Sequence, residues 1–228
     1  MKNIIFIAGP PGAGKTEFIK QYGFNNYRVF DLDNYRKIDK KFSLNNPLSY
    51  SENTIADAGL RMNSDINKSL LNNSTIVIEA TFSSLNNTLE RVKKSNDYQI
   101  YAYLFVVDRI EAYVSILERF IINYNNGNLC RIISFENYLK KVEFYDEYIN
   151  IIKKYNIDIS YVRRNDCRIS LFKYYPAFDI YYNIEHYVDR INKIKQFCSH
   201  NNISELNNEL NKMLHYFENH DKMKRVIK

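Results

Sequence analysis

Gly9-Pro10-Pro11-Gly12-Ala13-Gly14-Lys15-Thr16 has the spacing G-x-x-x-x-G-K-[ST], and its residue types suit the binding of a phosphate chain. Phosphate oxygens are held by backbone N–H groups that converge on them, and glycine adopts the left-handed conformations that turn those groups inward. Lys15 has the reach to meet β- and γ-phosphates, and the Thr16 hydroxyl suits a phosphate-bridging Mg²⁺. Three of the six glycines in the chain fall in this loop. An apolar run at residues 3–8 leads into it, and a helical pattern from Thr16 to Gln21 leads away. The positive end of a helix therefore faces the anion. The ligand set implied is ATP or GTP with Mg²⁺, held by Gly9, Pro10, Pro11, Gly12, Ala13, Gly14, Lys15 and Thr16.

Such a loop serves kinases, hydrolases and nucleotide switches alike, so the acids and arginines beyond it carry the distinction. Asp31 and Asp33 stand in Asp31-Leu-Asp33-Asn-Tyr-Arg36, after a second apolar run at Tyr27–Phe30. Residues at the carboxyl ends of parallel strands face the ligand crevice. Two carboxylates there suit either Mg²⁺ binding or acceptance of a proton from a hydroxyl nucleophile. The alternative is a loop of Asx turns or a helix cap. Glu79 closes a third run, Thr75–Glu79. Beside the first strand it would orient a metal-bound water or the second substrate; otherwise it caps the segment after the strand. Asp108 closes Tyr103–Asp108 in the manner of a Mg²⁺-binding aspartate. It also directly precedes a helical pattern, where Asp is a preferred N-cap, and the cap is the favoured reading. Arg119 and Arg131 flank a turn at Asn123–Asn128. On a helix–turn–helix they would close over the phosphates as a lid; the alternative is a pair of solvated side chains.

The elements that must position these groups are legible as patterns. Runs at 3–8, 27–30, 75–79, 99–107 and 157–163 are predicted strands, with 168–172 a possible sixth. Stripes from Ile55 to Leu70, Ile110 to Tyr124 and Phe135 to Ile152 are predicted amphipathic helices. A final helix is predicted over Ile203–Phe217, capped by Asn202 with Glu205. Strand alternating with helix gives an α/β, three-layer fold with a mainly parallel sheet, a helical lid and extra C-terminal helices. The expected organisation is a core domain over 1–165 with its lid around 109–135, and a C-terminal strand and helical extension over 166–228 packed on the same domain.

Composition removes several classes. The 228 residues carry a net charge of +6 without a run of five like charges, which fits charge spread over solvated faces. Cys130, Cys167 and Cys198 stand far apart, and the four histidines, His186, His200, His215 and His220, lack metal-ligand spacing. No apolar stretch reaches the roughly 18 residues of a membrane span, and a cytoplasmic location without membrane contact is expected. The Tyr-rich stretch Lys173–Tyr187 reads as packing in preference to a base-stacking surface.

Taken in order, the Gly9–Thr16 loop, Asp31-x-Asp33-x-Tyr35-Arg36, Glu79-x-Thr81, Glu118-Arg119 and Arg131 resemble the zeta-toxin family of P-loop kinases over about residues 3–165. The resemblance implies that Lys15 and Thr16 hold the nucleotide phosphates and Mg²⁺ and that Asp33 deprotonates an acceptor hydroxyl. It implies that Asp31, Arg36, Glu79 and Thr81 bind the acceptor and that Arg119 and Arg131 clamp the phosphates. The acceptor it implies is a small molecule, a nucleotide sugar of the UDP-N-acetylglucosamine type, and the protein partner a small helical antitoxin over the nucleotide site. Two departures stand out. Lys40–Pro47 has no histidine where many members carry His-Pro, and Ala80 stands where Gly is common. Residues 166–228 extend beyond the resemblance. The alternatives are a polynucleotide 5′-hydroxyl kinase and a P-loop ATPase or switch that acts through a protein partner.

Overall fold

Each apolar run becomes a strand because a parallel sheet is covered on both faces and needs apolar residues on both. In the computed structural model, which describes residues 2–37, 55–80, 98–128, 132–143, 157–165, 168–172 and 184–226, six strands form one sheet in the order β2-β3-β1-β4-β5-β6. These are β1 (Lys2–Ala8), β2 (Arg28–Asp31), β3 (Ile76–Ala80), β4 (Tyr98–Val106), β5 (Asp158–Asn165) and β6 (Arg168–Phe172). The first five run parallel, and β6 closes the β5 edge antiparallel.

The two faces have separate cores. Helix α1 (Lys15–Gln21) lays Phe18 and Ile19 on Ile5, Ile7, Val77 and Phe105. Seven residues are too few to hold a helix alone. Packing therefore sets α1, with Phe18 fully buried and its ring edge-on to Phe105 at 5.4 Å between centroids. A buried ring of this size is worth about 1.5–3 kcal/mol. On the other face, α3 (Ile55–Leu71) covers Ile4, Phe6, Phe30 and Ile78 with Met62 and Ile66. Between β2 and α3 the chain makes a short helix, α2 (Leu32–Lys37), where the sequence suggested only a loop or cap.

A third core is mainly helical. It joins α4 (Arg109–Asn125), α5 (Phe135–Glu143), α6 (Val188–Asn201) and α7 (Ser204–Val226). Of the predicted stripe Ile203, Leu206, Leu210, Met213, Leu214 and Phe217, the residues Leu206, Leu210, Met213 and Phe217 are fully buried here and Ile203 and Leu214 are partly buried. The last helix begins at Ser204 and runs nine residues beyond Phe217. Asn202 does not cap it. With φ of 54° Asn202 closes α6, a left-handed position that Asn tolerates. Helix α6 is one of the extra C-terminal helices expected, but no sequence pattern placed it at these residues. Glu209 on α7 is buried, and its carboxylate accepts the Phe135 backbone N–H at 2.6 Å. A negative group at the amino end of α5 satisfies an orphan donor and complements the helix dipole.

The connection leaving β1 heads for β2, whereas the one leaving β3 returns past β1 to β4. In open α/β sheets the ligand crevice lies at the carboxyl ends of two such neighbouring strands, where the order reverses. Asp108 does not lie in it as a ligand group. Its carboxylate accepts the N–H groups of Ile110 at 2.7 Å and Glu111 at 3.1 Å, which makes it the N-cap of α4. Asp108→Ala is expected to cost about 1 kcal/mol and to lower the melting midpoint by about 2–4 °C, with nucleotide affinity unchanged by calorimetry. A loss of Mg²⁺-dependent nucleotide binding would return Asp108 to the cation-binding role.

Candidate functional site

The site is assembled from the carboxyl ends of β1, β3 and β2. Ile7, Glu79 and Asp31 form one row across those strands, since Ile7 pairs with Glu79 and Glu79 with Asp31. Side chains in such a row share a face. That face carries α1, so Glu79 meets the start of α1 directly. The Thr16 hydroxyl donates to Glu79 Oε2 at 3.2 Å, and Lys15 Nζ lies 3.9 Å from Glu79 Oε1.

The loop that leads into α1 owes its shape to glycine at two points. Gly12 has φ of 81° and Gly14 has φ of 91°. A Cβ on Gly12 would stand 2.0 Å from the carbonyl oxygen of Ala112, so the loop lies against the backbone of α4 itself. Lys15 Nζ donates back to the carbonyls of Gly9 at 3.1 Å and Pro10 at 3.0 Å. Its ammonium is thereby held under the loop, with the side chain nearly buried at 6% exposure.

Burial dominates the electrostatics. It pushes the Lys15 ammonium below the ordinary lysine value; Glu79, Asp33 and Asp31 oppose that shift and Arg119 adds to it. It pushes the Glu79 carboxyl above the ordinary carboxylate value; Lys15 and the Thr16 hydroxyl oppose, and Asp31 and Asp33 add. Each group is thus sensitive to charge brought into the site. Arg119, on α4, is within electrostatic reach of Lys15.

Asp33 occupies a different position. It lies in the first turn of α2, and its backbone N–H donates to Asp31 Oδ1 at 3.0 Å. Arg36 is buried at 4% exposure, and its Nη1 donates to Asp33 Oδ1 at 3.1 Å. The Asp33 side chain stays 38% exposed. Hydrogen bonds pin α2 to α3: the Tyr35 hydroxyl donates to Asp65 Oδ2 at 3.1 Å, and Arg61 Nη2 donates to the Tyr35 carbonyl at 3.2 Å. No sequence spacing announces Arg61 and Asp65 as the supports of this turn. Their partners lie 26 and 30 residues away.

Lys15, Thr16, Glu79, Asp31, Asp33, Arg36 and Arg119 are therefore brought together. Thr81 and Arg131 lie outside the described residues, as does Lys40–Pro47. Among the described residues no group of three or more His, Cys, Asp and Glu is arranged to hold a metal by itself, and no helix is long and apolar enough to cross a membrane. The neighbour of Arg119, Glu118, is held by a residue of the C-terminal extension. Arg190 on α6 donates through Nε to Glu118 Oε1 at 2.7 Å and through Nη2 to Oε2 at 2.6 Å.

A parallel sheet with a Gly-rich loop between β1 and α1, a buried lysine beneath that loop and an acid beside it defines a nucleotide-binding P-loop protein of the kinase-like three-layer class. The zeta toxin profile matches residues 1–173 of the 228, and the chain belongs to that family. No curated protein matches it in sequence. Among solved structures it is similar to that of the PezAT chromosomal toxin–antitoxin system of the human pathogen Streptococcus pneumoniae. There the TM-score is 0.61 at 17% identity, over 85% of this chain and 87% of that one. A putative kinase from Chloroflexus aurantiacus aligns with a TM-score of 0.47 at 14% identity, over 61% of this chain and 77% of that one.

Proposed function

We propose that the protein is a kinase that moves the γ-phosphate of ATP or GTP to a hydroxyl of a small acceptor, with UDP-N-acetylglucosamine the foremost candidate. The observation that carries the reading is the division of the acids. Glu79 is bound up with the phosphate loop through Thr16 and Lys15. Asp33 is turned away to Arg36 and remains partly open. A switch needs only the first arrangement, whereas transfer to a hydroxyl also needs a proton acceptor that the second substrate can reach.

In the proposed reaction the acceptor oxygen attacks the γ-phosphorus and the bond to the β-phosphate oxygen breaks. The hydroxyl proton passes to Asp33 Oδ, and the nucleoside diphosphate leaves. Lys15 and Arg119 neutralise charge on the transferring group, and Arg36 orients Asp33. Mg²⁺ fits the residues present. The Thr16 hydroxyl, Glu79 and the adjacent Asp31 are hard oxygen donors, and Mg²⁺ favours one or two carboxylates plus phosphate and water over an all-protein cage. When bound, it would neutralise phosphate charge. The acceptor class and an antitoxin that covers the nucleotide site are supported by family membership. The test is a panel of acceptors with γ-labelled ATP or GTP: UDP-N-acetylglucosamine, other nucleotide sugars and 5′-hydroxyl oligonucleotides. Label on a nucleotide sugar supports the proposal; label on oligonucleotides alone replaces it with a polynucleotide kinase.

Glu79 gives a further prediction. A buried carboxylate beside the loop repels phosphates unless a cation lies between them. Glu79→Gln is expected to tighten metal-free nucleotide binding and to remove most of the gain from Mg²⁺, each by about tenfold. Titration calorimetry with Mg²⁺ and with EDTA checks both. An unchanged Mg²⁺ gain would take Glu79 out of the cation set.

A further inference from the structure

The C-terminal extension holds one charged group against the helix that carries Arg119. The Arg190 guanidinium grips α4 at two heights. Nε and Nη2 form a two-point fork on the Glu118 carboxylate, and Nη2 also donates to Ser115 Oγ at 3.1 Å. Ser115 and Glu118 are three residues apart and so lie on one side of the helix, one turn from each other. The ring of Tyr187 lies under the same guanidinium, with 5.9 Å from Cζ to the ring centroid. A planar fork fixed at two points is a geometric clamp, which a lysine would not supply. One turn earlier on α4, the Ala112 carbonyl abuts Gly12 of the phosphate loop. The helix is thus fixed against the loop at one height and against α6 at the next two. Glu118 and Arg119 are consecutive, so a grip that fixes the rotation of α4 at Glu118 also fixes the direction in which Arg119 leaves it.

We propose that Arg190 is a positioning residue, which sets the rotation of α4 through Glu118 and Ser115 and so aims Arg119 at the phosphate site. Arg190 itself touches no reacting atom. It lies beyond residues 1–173, the part of the chain matched to the family. The extension thereby becomes part of the nucleotide-binding apparatus of this protein. The inference rests on the reading of Arg119 as a phosphate clamp, and it does not depend on which acceptor is used.

The test uses the full chain and measures the preference for ATP over ADP by titration calorimetry, which needs no acceptor. Arg119→Ala is expected to reduce that preference by about tenfold, the usual worth of a charge-assisted contact. Arg190→Ala and Glu118→Gln are each expected to reduce it by about threefold or more. Either change made on top of Arg119→Ala is expected to add nothing. Glu118→Gln keeps shape and volume, so it guards against a variant that merely fails to fold, and melting curves accompany the parent and all five variants. A lowered melting midpoint with the preference intact in Arg190→Ala and Glu118→Gln would reduce the fork to a structural tie and overturn the inference alone. A preference untouched by Arg119→Ala would overturn the clamp reading and this inference with it.

Discussion

Asp33→Asn is expected to slow transfer of the γ-phosphate to the acceptor by about 10²- to 10⁴-fold, the usual worth of a positioned general base, with nucleotide affinity close to that of the parent. The substitution keeps the shape of the side chain and removes its capacity to take a proton. On the proposed reading phosphate binding falls to other residues: Lys15, which donates to the loop carbonyls, and Thr16, which donates to Glu79. Arg36 is buried and paired with Asp33. It keeps a hydrogen-bond acceptor in Asn but loses the charge, so a modest fall in melting midpoint accompanies the loss of rate. Single-turnover kinetics separates transfer from binding. Collapse of Mg²⁺-dependent nucleotide binding in this variant would join Asp33 to Glu79 and Thr16 in the cation set, and the proton acceptor would then be another group.

Gly12→Ala is expected to abolish nucleotide binding and to cost about 3–6 kcal/mol of stability, from left-handed strain and overpacking together. The added Cβ would stand 2.0 Å from the Ala112 carbonyl oxygen and 3.0 Å from Ile116 Cγ1, both on α4. A backbone oxygen inside a helix cannot step aside as a side chain can, so either the loop opens or α4 shifts. Both motions disturb the site, because α4 carries Arg119. Gly127 is the matched control. It has φ of 63° and nothing within 4 Å of an added Cβ, so Gly127→Ala bears the strain of about 1–2 kcal/mol without the collision. Chemical denaturation and nucleotide titration of the two variants measure the difference. Near-equal costs would mean that contact with α4 contributes nothing.

The sheet was legible because a parallel strand is written as an unbroken apolar run, and each of the predicted runs is a strand. The phosphate loop was legible because backbone chemistry dictates its glycines. Glu79 came beside that loop once β3 paired with β1, which the strand-helix alternation permitted but did not dictate. What escaped detection was structure held by distant partners. α2 has six residues, mostly polar, and is held by contacts to α3, so it shows no stripe of its own. α6 buries only Ile191, Ile194 and Cys198, a thin stripe after a Tyr-rich stretch. The Arg190–Glu118 fork spans 72 residues, and the Glu209 cap on Phe135 spans 74. Neither separation leaves a mark in local pattern. Asn202 misled for a related reason: Asn before a helix serves as a cap, but Asn also closes helices in the left-handed conformation.

The fate of the labelled γ-phosphate of ATP or GTP, followed with and without UDP-N-acetylglucosamine, bears most directly on the proposed chemistry. Label that appears on the sugar in step with nucleoside diphosphate, and that neither Lys15→Ala nor Asp33→Asn transfers at the parent rate, is the predicted result. Label released only as inorganic phosphate, at a rate indifferent to every acceptor and to Asp33→Asn, would contradict a kinase and leave a nucleotide hydrolase or switch built on the same loop.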